Sequence, residues 1–257
     1  MKTFLLFLLG AYGLYAITMV VLHPRFIYPF QPDDRVLPGF VRVELSGSDD
    51  VPVFVQERAG AGPIVLYFMG NVGALSFFEA AFEAHLAADR HVIAVEYRGG
   101  AGRPGAPSES VLKADALRAA DYALGKQKPV LVQGFSLGTG LATYVAANRT
   151  VDRVILSAPY DSLCRLMAMR SWLPACLLPF VQNWRSFQDA ERITAPMLVL
   201  HGSDDQLIPA HLSEAFATLP TTDRVVMSGA AHNNLTSFAA YQNAIDAFLA
   251  PLASSRE

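Results

Sequence analysis

The segment Gly134-Phe135-Ser136-Leu137-Gly138 follows a run of apolar and β-branched residues and opens a stretch with helical spacing. A strand that turns sharply into a helix strains the residue at the corner and lifts its side chain clear of the sheet. Glycines two positions before and after give the backbones room to approach. Ser136 at such a corner has the placement of a nucleophile, and the Leu137 N–H at the helix start can donate to an oxyanion. A serine hydroxyl is a weak nucleophile, so it needs a base, and the base needs an orienting acid. Downstream, an apolar run over 197–201 ends in Gly202-Ser203-Asp204-Asp205, and a run over 224–227 ends in Ser228-Gly229-Ala230-Ala231-His232. Both sit past the carboxyl end of a strand, on the rim that Ser136 would share. Of the six histidines, His201 closes a strand, His23 borders an apolar run, and His85, His91 and His211 fall in helix or turn settings. His232 alone combines chain order with a strand-end loop. Asp204 and Asp205 both fit the acid, with Asp161 behind an earlier strand as a weaker third. A second oxyanion donor is expected after the third strand, in Met69-Gly70-Asn71-Val72-Gly73, and is assigned to the Asn71 N–H.

These residues need a scaffold that brings strand ends together. β-branched runs over 41–45, 51–57, 64–69, 92–97, 130–135, 154–157, 197–201 and 224–227 read as strands, and 74–88, 108–124, 137–148, 210–219 and 235–249 read as helices. Residues 46–50, Ser-Gly-Ser-Asp-Asp, signal a hairpin between the first two strands. The later strands are separated by helices and must be mostly parallel. Continuous apolar strands such as 64–68 are what a sheet covered on both faces requires. The predicted fold is α/β, a mostly parallel sheet flanked by helices. Residues 160–193, rich in Leu, Met, Trp and Pro, are too long for a simple crossover and read as a small helical cap over the strand ends.

The chain has 257 residues, 52% hydrophobic and only 17% charged. Twenty basic against 23 acidic residues, net −3 and without a basic run, argue against nucleic-acid binding. Two cysteines, Cys164 and Cys176, can make neither a four-ligand zinc site nor a disulfide framework; their spacing inside the cap permits one bridge. Residues 4–22 carry no charge and extend about 28 Å as a helix, close to a hydrocarbon core. A cleaved signal peptide competes with an uncleaved anchor. The length of the run favours the anchor, as does the absence of a small-x-small pair after it, where His23-Pro24-Arg25 follow directly. The expected organisation is a membrane anchor over 1–23, a proline-rich connector over 24–38 and one domain over 39–257.

With these motifs the sequence resembles the α/β-hydrolase superfamily, and within it the singly membrane-anchored serine hydrolases related to monoacylglycerol and lysophospholipid lipases and protein depalmitoylases. The resemblance covers nearly the whole chain. It runs through Leu66-Tyr-Phe-Met-Gly-Asn, Glu96-Tyr-Arg-Gly, Pro107-Ser-Glu, Gly134-Phe-Ser-Leu-Gly, Ser171-Trp-Leu-Pro, 196–209 and Ala231-His-Asn-Asn-Leu. It implies that the acid is the last residue of a Gly-x-x-Asp pattern, Asp205. One departure stands out: Met69 occupies the position of a family histidine that braces the oxyanion loop.

The expected function is hydrolysis of carboxylic esters, acyl or lipid-derived, by Ser136, His232 and Asp205 with the Asn71 and Leu137 N–H groups, and without metal or organic cofactor. A thioesterase or depalmitoylase would use the same residues. A non-catalytic, membrane-tethered protein of the same fold is the non-enzyme alternative. Membrane association through the N-terminal helix and a hydrolase domain on the exported side complete the expectation.

Overall fold

The computed structural model describes residues 1–46, 52–100 and 102–253, with side chains through 250. Its centre is an eight-stranded sheet of β1 (Val41–Leu45), β2 (Val53–Arg58), β3 (Ile64–Phe68), β4 (His91–Glu96), β5 (Val130–Phe135), β6 (Arg153–Ser157), β7 (Met197–Gly202) and β8 (Thr222–Met227). The spatial order is β1-β2-β4-β3-β5-β6-β7-β8. β2 runs antiparallel to both β1 and β4, and all other pairs are parallel. From residue 47 on, the hairpin expected over 46–50 lies outside the described residues.

Helices α1 (Lys2–Ile27), α2 (Glu79–Ala87), α3 (Glu109–Leu124), α4 (Leu137–Asn148), α5 (Leu163–Ser171), α6 (Ser186–Ala190) and α7 (Ala239–Ala253) complete the fold. β3 and β5 are buried at every position because helices cover both faces of the sheet. α3 shows why such helices settle there. The Ser108 side chain accepts from the Val111 N–H at its start, and Leu112, Ala116, Ala119, Ala120 and Ala123 form one buried stripe at three- and four-residue spacing. The helix expected over 210–219 is instead two 3-10 turns, Ala210–Ser213 and Ala215–Thr218. There the Ser213 hydroxyl and the Arg224 guanidinium both donate to the Ala210 carbonyl, which competes with the helical ladder.

α1 is longer than the apolar run, continuing through Pro24 to Ile27, so the irregular connector starts four residues later than expected. Proline at 24 has no N–H for the Val20 carbonyl one turn back. The His23 ring takes that role: its Nδ1–H donates to Val20 O at 2.6 Å, leaving Nε2 to accept from the Gln182 N–H at 3.2 Å. The connector then packs on the domain. Phe30 lies 5.5 Å from the rings of both Tyr28 and Tyr97, and the Gln31 N–H donates to Val72 O at 2.7 Å.

Between β6 and β7 the chain forms a cap of α5, a 3-10 turn Ala175–Leu177, and α6. A disulfide joins Cys164 on α5 to Cys176 in the turn.

Candidate active site

β5 ends at Phe135 and α4 begins at Leu137, so Ser136 alone makes the corner. Its backbone has φ +52°, a region unfavourable for a side chain with a Cβ. Close backbone approach explains the flanking glycines. A Cβ on Gly134 would lie 2.4 Å from the Gly138 oxygen, and one on Gly138 would lie 2.1 Å from the Phe68 oxygen.

The sequence-expected residues meet at this corner. His232 Nε2 lies 3.0 Å from Ser136 Oγ, and its Nδ1 lies 2.7 Å from Asp205 Oδ2. All three are buried, and the imidazole packs 5.3 Å from the Phe135 ring. Because Asp205 is an acceptor, the arrangement favours the tautomer with hydrogen on Nδ1 and a free lone pair on Nε2 facing the serine. The other carboxylate oxygen, Oδ1, accepts from the Leu207 and Ile208 N–H groups at 2.9 and 2.8 Å. Burial works to raise the Asp205 pKa, but hydrogen bonds from His201 and His232, the His232 charge and the Ile208 N–H outweigh it. The net effect holds the carboxyl well below the usual carboxylate range.

The rival acids are engaged elsewhere. Asp204 is exposed and accepts from the Ser203 hydroxyl at 2.7 Å. Asp161 accepts from the Ser162 N–H at 2.5 Å and pairs with Arg165 on α5. His201 has a role that sequence reasoning missed. Fully buried, its Nε2 is 2.8 Å from Ile208 O and 3.4 Å from Asp205 Oδ2. The signal was its position four residues ahead of the acid, at the end of β7.

Asn71, Ser136 and Leu137 line one cavity of about 370 Å3. As the first residue of α4, Leu137 has an N–H with no partner inside the helix. The loop carrying Asn71 is held from below: the Tyr97 hydroxyl donates to Met69 O at 2.5 Å, and Met69 is fully buried. The rest of the cavity is mostly apolar, with Arg170 and Ser171 at its polar edge. The cap contributes Leu163, Leu166, Met167 and Leu173, and the C-terminal half of α1 contributes Tyr15, Met19, Val20, His23 and Ile27. A serine with a facing imidazole, an oriented carboxylate and adjacent N–H donors can perform acyl transfer.

No protein-family model matches the sequence. An uncharacterized protein of Mycobacterium tuberculosis is 32% identical over 222 residues, covering 80% of this chain and 77% of that protein. The lysophosphatidylserine lipase ABHD12 of Rattus norvegicus is 26% identical over 226 residues, covering 77% of this chain but only 56% of the lipase. Among solved structures, a Pyrococcus furiosus esterase superposes with a TM-score of 0.71 at 16% identity, covering 88% of this chain and 99% of the esterase. The mouse alpha/beta hydrolase domain-containing protein 10 does so with 0.62 at 17% identity, covering 84% and 100%. The chain belongs to the α/β-hydrolase superfamily. It is an esterase- or lipase-like α/β-hydrolase, with the long apolar α1 ahead of the α/β-hydrolase sheet.

Proposed function

We propose that this α/β-hydrolase is a serine hydrolase of lipid-derived carboxylic esters carrying a single acyl chain. The observation that carries the reading is the unbroken chain from Asp205 through His232 to Ser136, which lines a mostly apolar cavity. Ser136 Oγ attacks the ester carbonyl while His232 Nε2 takes its proton. The tetrahedral oxyanion is received by the Asn71 and Leu137 N–H groups. His232 then returns the proton to the leaving alcohol, which departs as the acyl-enzyme forms. A water, deprotonated by the same imidazole, releases the fatty acid and restores Ser136. Asp205 keeps the ring in the productive tautomer and stabilises the imidazolium. The apolar cavity walls suit an acyl chain, and the relative named as a lysophosphatidylserine lipase points to single-chain lipids as the substrate class.

The helix α1 is read as an uncleaved anchor. His23 and Ile27 are buried against the domain, and the Tyr15 hydroxyl donates to Ser171 O at 2.8 Å, so removing the helix would strip one wall from the cavity. The Cys164–Cys176 disulfide supports a domain on the exported, oxidising side.

Labelling with a fluorophosphonate tests the activity. The full-length protein in detergent is expected to label and to hydrolyse an activated ester, and Ser136→Ala is expected to do neither. A folded wild type that resists the label and turns over no ester would establish the non-catalytic alternative.

A further inference from the structure

Helix α1 is both anchor and cavity wall, and its register against the cap fixes where the cavity lies relative to a membrane. The apolar run ends at residue 22, and Arg25 is the first charge beyond it. The hydrocarbon boundary therefore falls near residues 22–23, and each residue toward Lys2 lies about 1.5 Å further along the helix axis. Tyr15, which lines the cavity, is then about 10 Å along the helix into the apolar layer. The Tyr12 hydroxyl, still deeper, donates to Trp172 O at 3.2 Å. The end of α5 thus reaches the level of the apolar part of α1.

The cap is built for that depth. At its end, Trp172, Leu177 and Phe180 are 89%, 84% and 90% exposed, and none of them lines the cavity. Trp172 and Phe180 have φ of +61° and +66°, a conformation that bulky residues adopt only at a cost. That backbone is retained at two positions whose aromatic rings project outward. Carbonyls at a helix end have no helical partner, and in hydrocarbon they cannot turn to water. Here Ser171 O and Trp172 O, at the end of α5, receive hydroxyls from Tyr15 and Tyr12 of the anchor. The nearest charge, Arg170, turns its guanidinium back to the Gln206 and Leu207 carbonyls. Arg165, at the other end of α5, pairs with Asp161.

We propose that the cap end formed by Trp172, Leu177 and Phe180 inserts into the bilayer leaflet beside α1, and that the acyl cavity, walled by α1 itself, opens to that leaflet. A single-chain lipid ester then passes laterally from the membrane between anchor and cap to Ser136 without crossing water. The insertion rests on the reading of α1 as an anchor, and the lateral route also on the hydrolase reading.

The test uses the full chain reconstituted in phosphatidylcholine vesicles with brominated acyl chains. The protein has two tryptophans, exposed Trp172 and fully buried Trp184, so quenching reports on the cap end. The Trp172 emission is expected to be lost in brominated vesicles, and Trp172→Phe is expected to abolish the difference between brominated and plain lipid. In parallel, Leu177→Asp and Phe180→Asp are expected to keep hydrolysis of a water-soluble butyrate ester. Each should lower hydrolysis of a vesicle-resident long-chain monoacyl ester at least about ten-fold, the equivalent of one lost apolar anchor. Trp172 that is unquenched by brominated lipid yet quenched by aqueous iodide, in protein that hydrolyses butyrate, overturns the insertion and leaves the hydrolase standing. Quenched Trp172 in wild-type protein that hydrolyses neither ester supports the insertion and overturns the hydrolase, and with it the lateral substrate route. Unchanged long-chain turnover in both aspartate variants also overturns the lateral route.

Discussion

The hydroxyl of Tyr97 donates to the carbonyl of Met69 across 2.5 Å, tying the residue after β4 to the loop that carries Asn71. A histidine brace is what the family resemblance implies at position 69. Here an apolar side chain is buried in its place, and the brace comes from the neighbouring strand through the backbone. Tyr97→Phe deletes one hydroxyl and leaves a buried carbonyl without its donor, a loss of about 1–3 kcal/mol. If the brace positions the Asn71 N–H, kcat on a soluble ester falls by about ten-fold while KM changes little, the signature of an interaction used mainly in the transition state. Unchanged kcat in a folded Tyr97→Phe protein would remove Tyr97 from the positioning of the loop.

Asp204 and Asp205 are adjacent, and only one reaches the imidazole. Asp205→Asn would replace an acceptor with an amide that no longer selects the Nδ1–H tautomer of His232, and a kcat loss of up to about 10⁴-fold is expected. Asp204→Asn, which alters an exposed contact with Ser203, should stay within about two-fold of wild type and within about 0.5 kcal/mol in stability. Steady-state kinetics on one ester separate the two variants. Equal losses would mean that the acid has been misassigned.

The contrast between these two aspartates shows how far the sequence could be read. Strand ends are legible because apolar runs terminate in glycine and polar residues, so the elbow at Ser136 and the loops bearing Asp205 and His232 could be placed on one rim. Which neighbouring carboxylate turns inward depends on turn geometry, here the Leu207 and Ile208 N–H groups closing on Asp205 Oδ1. Spacing alone does not encode that turn, and the family pattern supplied the choice. The roles of His201 and Tyr97 were not legible because the first depends on the turn that brings the Ile208 carbonyl and Asp205 back onto the ring, and the second on a carbonyl 28 residues away on the neighbouring strand's loop. The extension of α1 past Pro24 was hidden for a related reason. A proline normally ends a helix, and only the His23 ring over the Val20 carbonyl shows why this one does not.

The disulfide spans Cys164 and Cys176, twelve residues apart, and encloses the end of α5 with Trp172. A loop of this size contributes about 2–3 kcal/mol when closed. The segment inside the bridge packs on the core only through Leu166 and Met167, so the loss on reduction should be local. Reduction, or Cys176→Ser, is expected to increase proteolysis within 165–180 and to weaken turnover of long-chain esters while leaving unfolding of the sheet nearly in place. Limited proteolysis followed by mass analysis reads this directly. Equal proteolysis with and without reductant would show that the bridge contributes nothing to cap order.

A buried polar chain beneath the sheet sets a pH dependence of stability. His85 Nε2 lies 2.8 Å from Gln133 Oε1, while the Arg90 guanidinium approaches Nδ1 at 3.2 Å, so the ring is neutral with its hydrogen on Nε2. Gln133 in turn donates to the Tyr241 hydroxyl, which meets Ser157 Oγ at 2.8 Å. Burial, aided by the Arg90 charge, pulls the His85 pKa down to about 4, against the opposing pull of Gln133 and Asp246. In the unfolded chain the same ring titrates near its ordinary value of about 6.5. Between these values the unfolded state binds a proton that the native state refuses, so stability rises with pH across that interval. On acidification the loss begins near pH 6.5 and levels off near pH 4, amounting to about 3 kcal/mol in all. Urea unfolding in detergent micelles at pH 7.5, 5.5 and 4.5 measures it. His85→Gln keeps a donor toward Gln133 without a titrating ring, so its stability should be flatter over the same interval, even if lower at pH 7.5. Parallel losses in wild type and His85→Gln would show that another group carries the dependence.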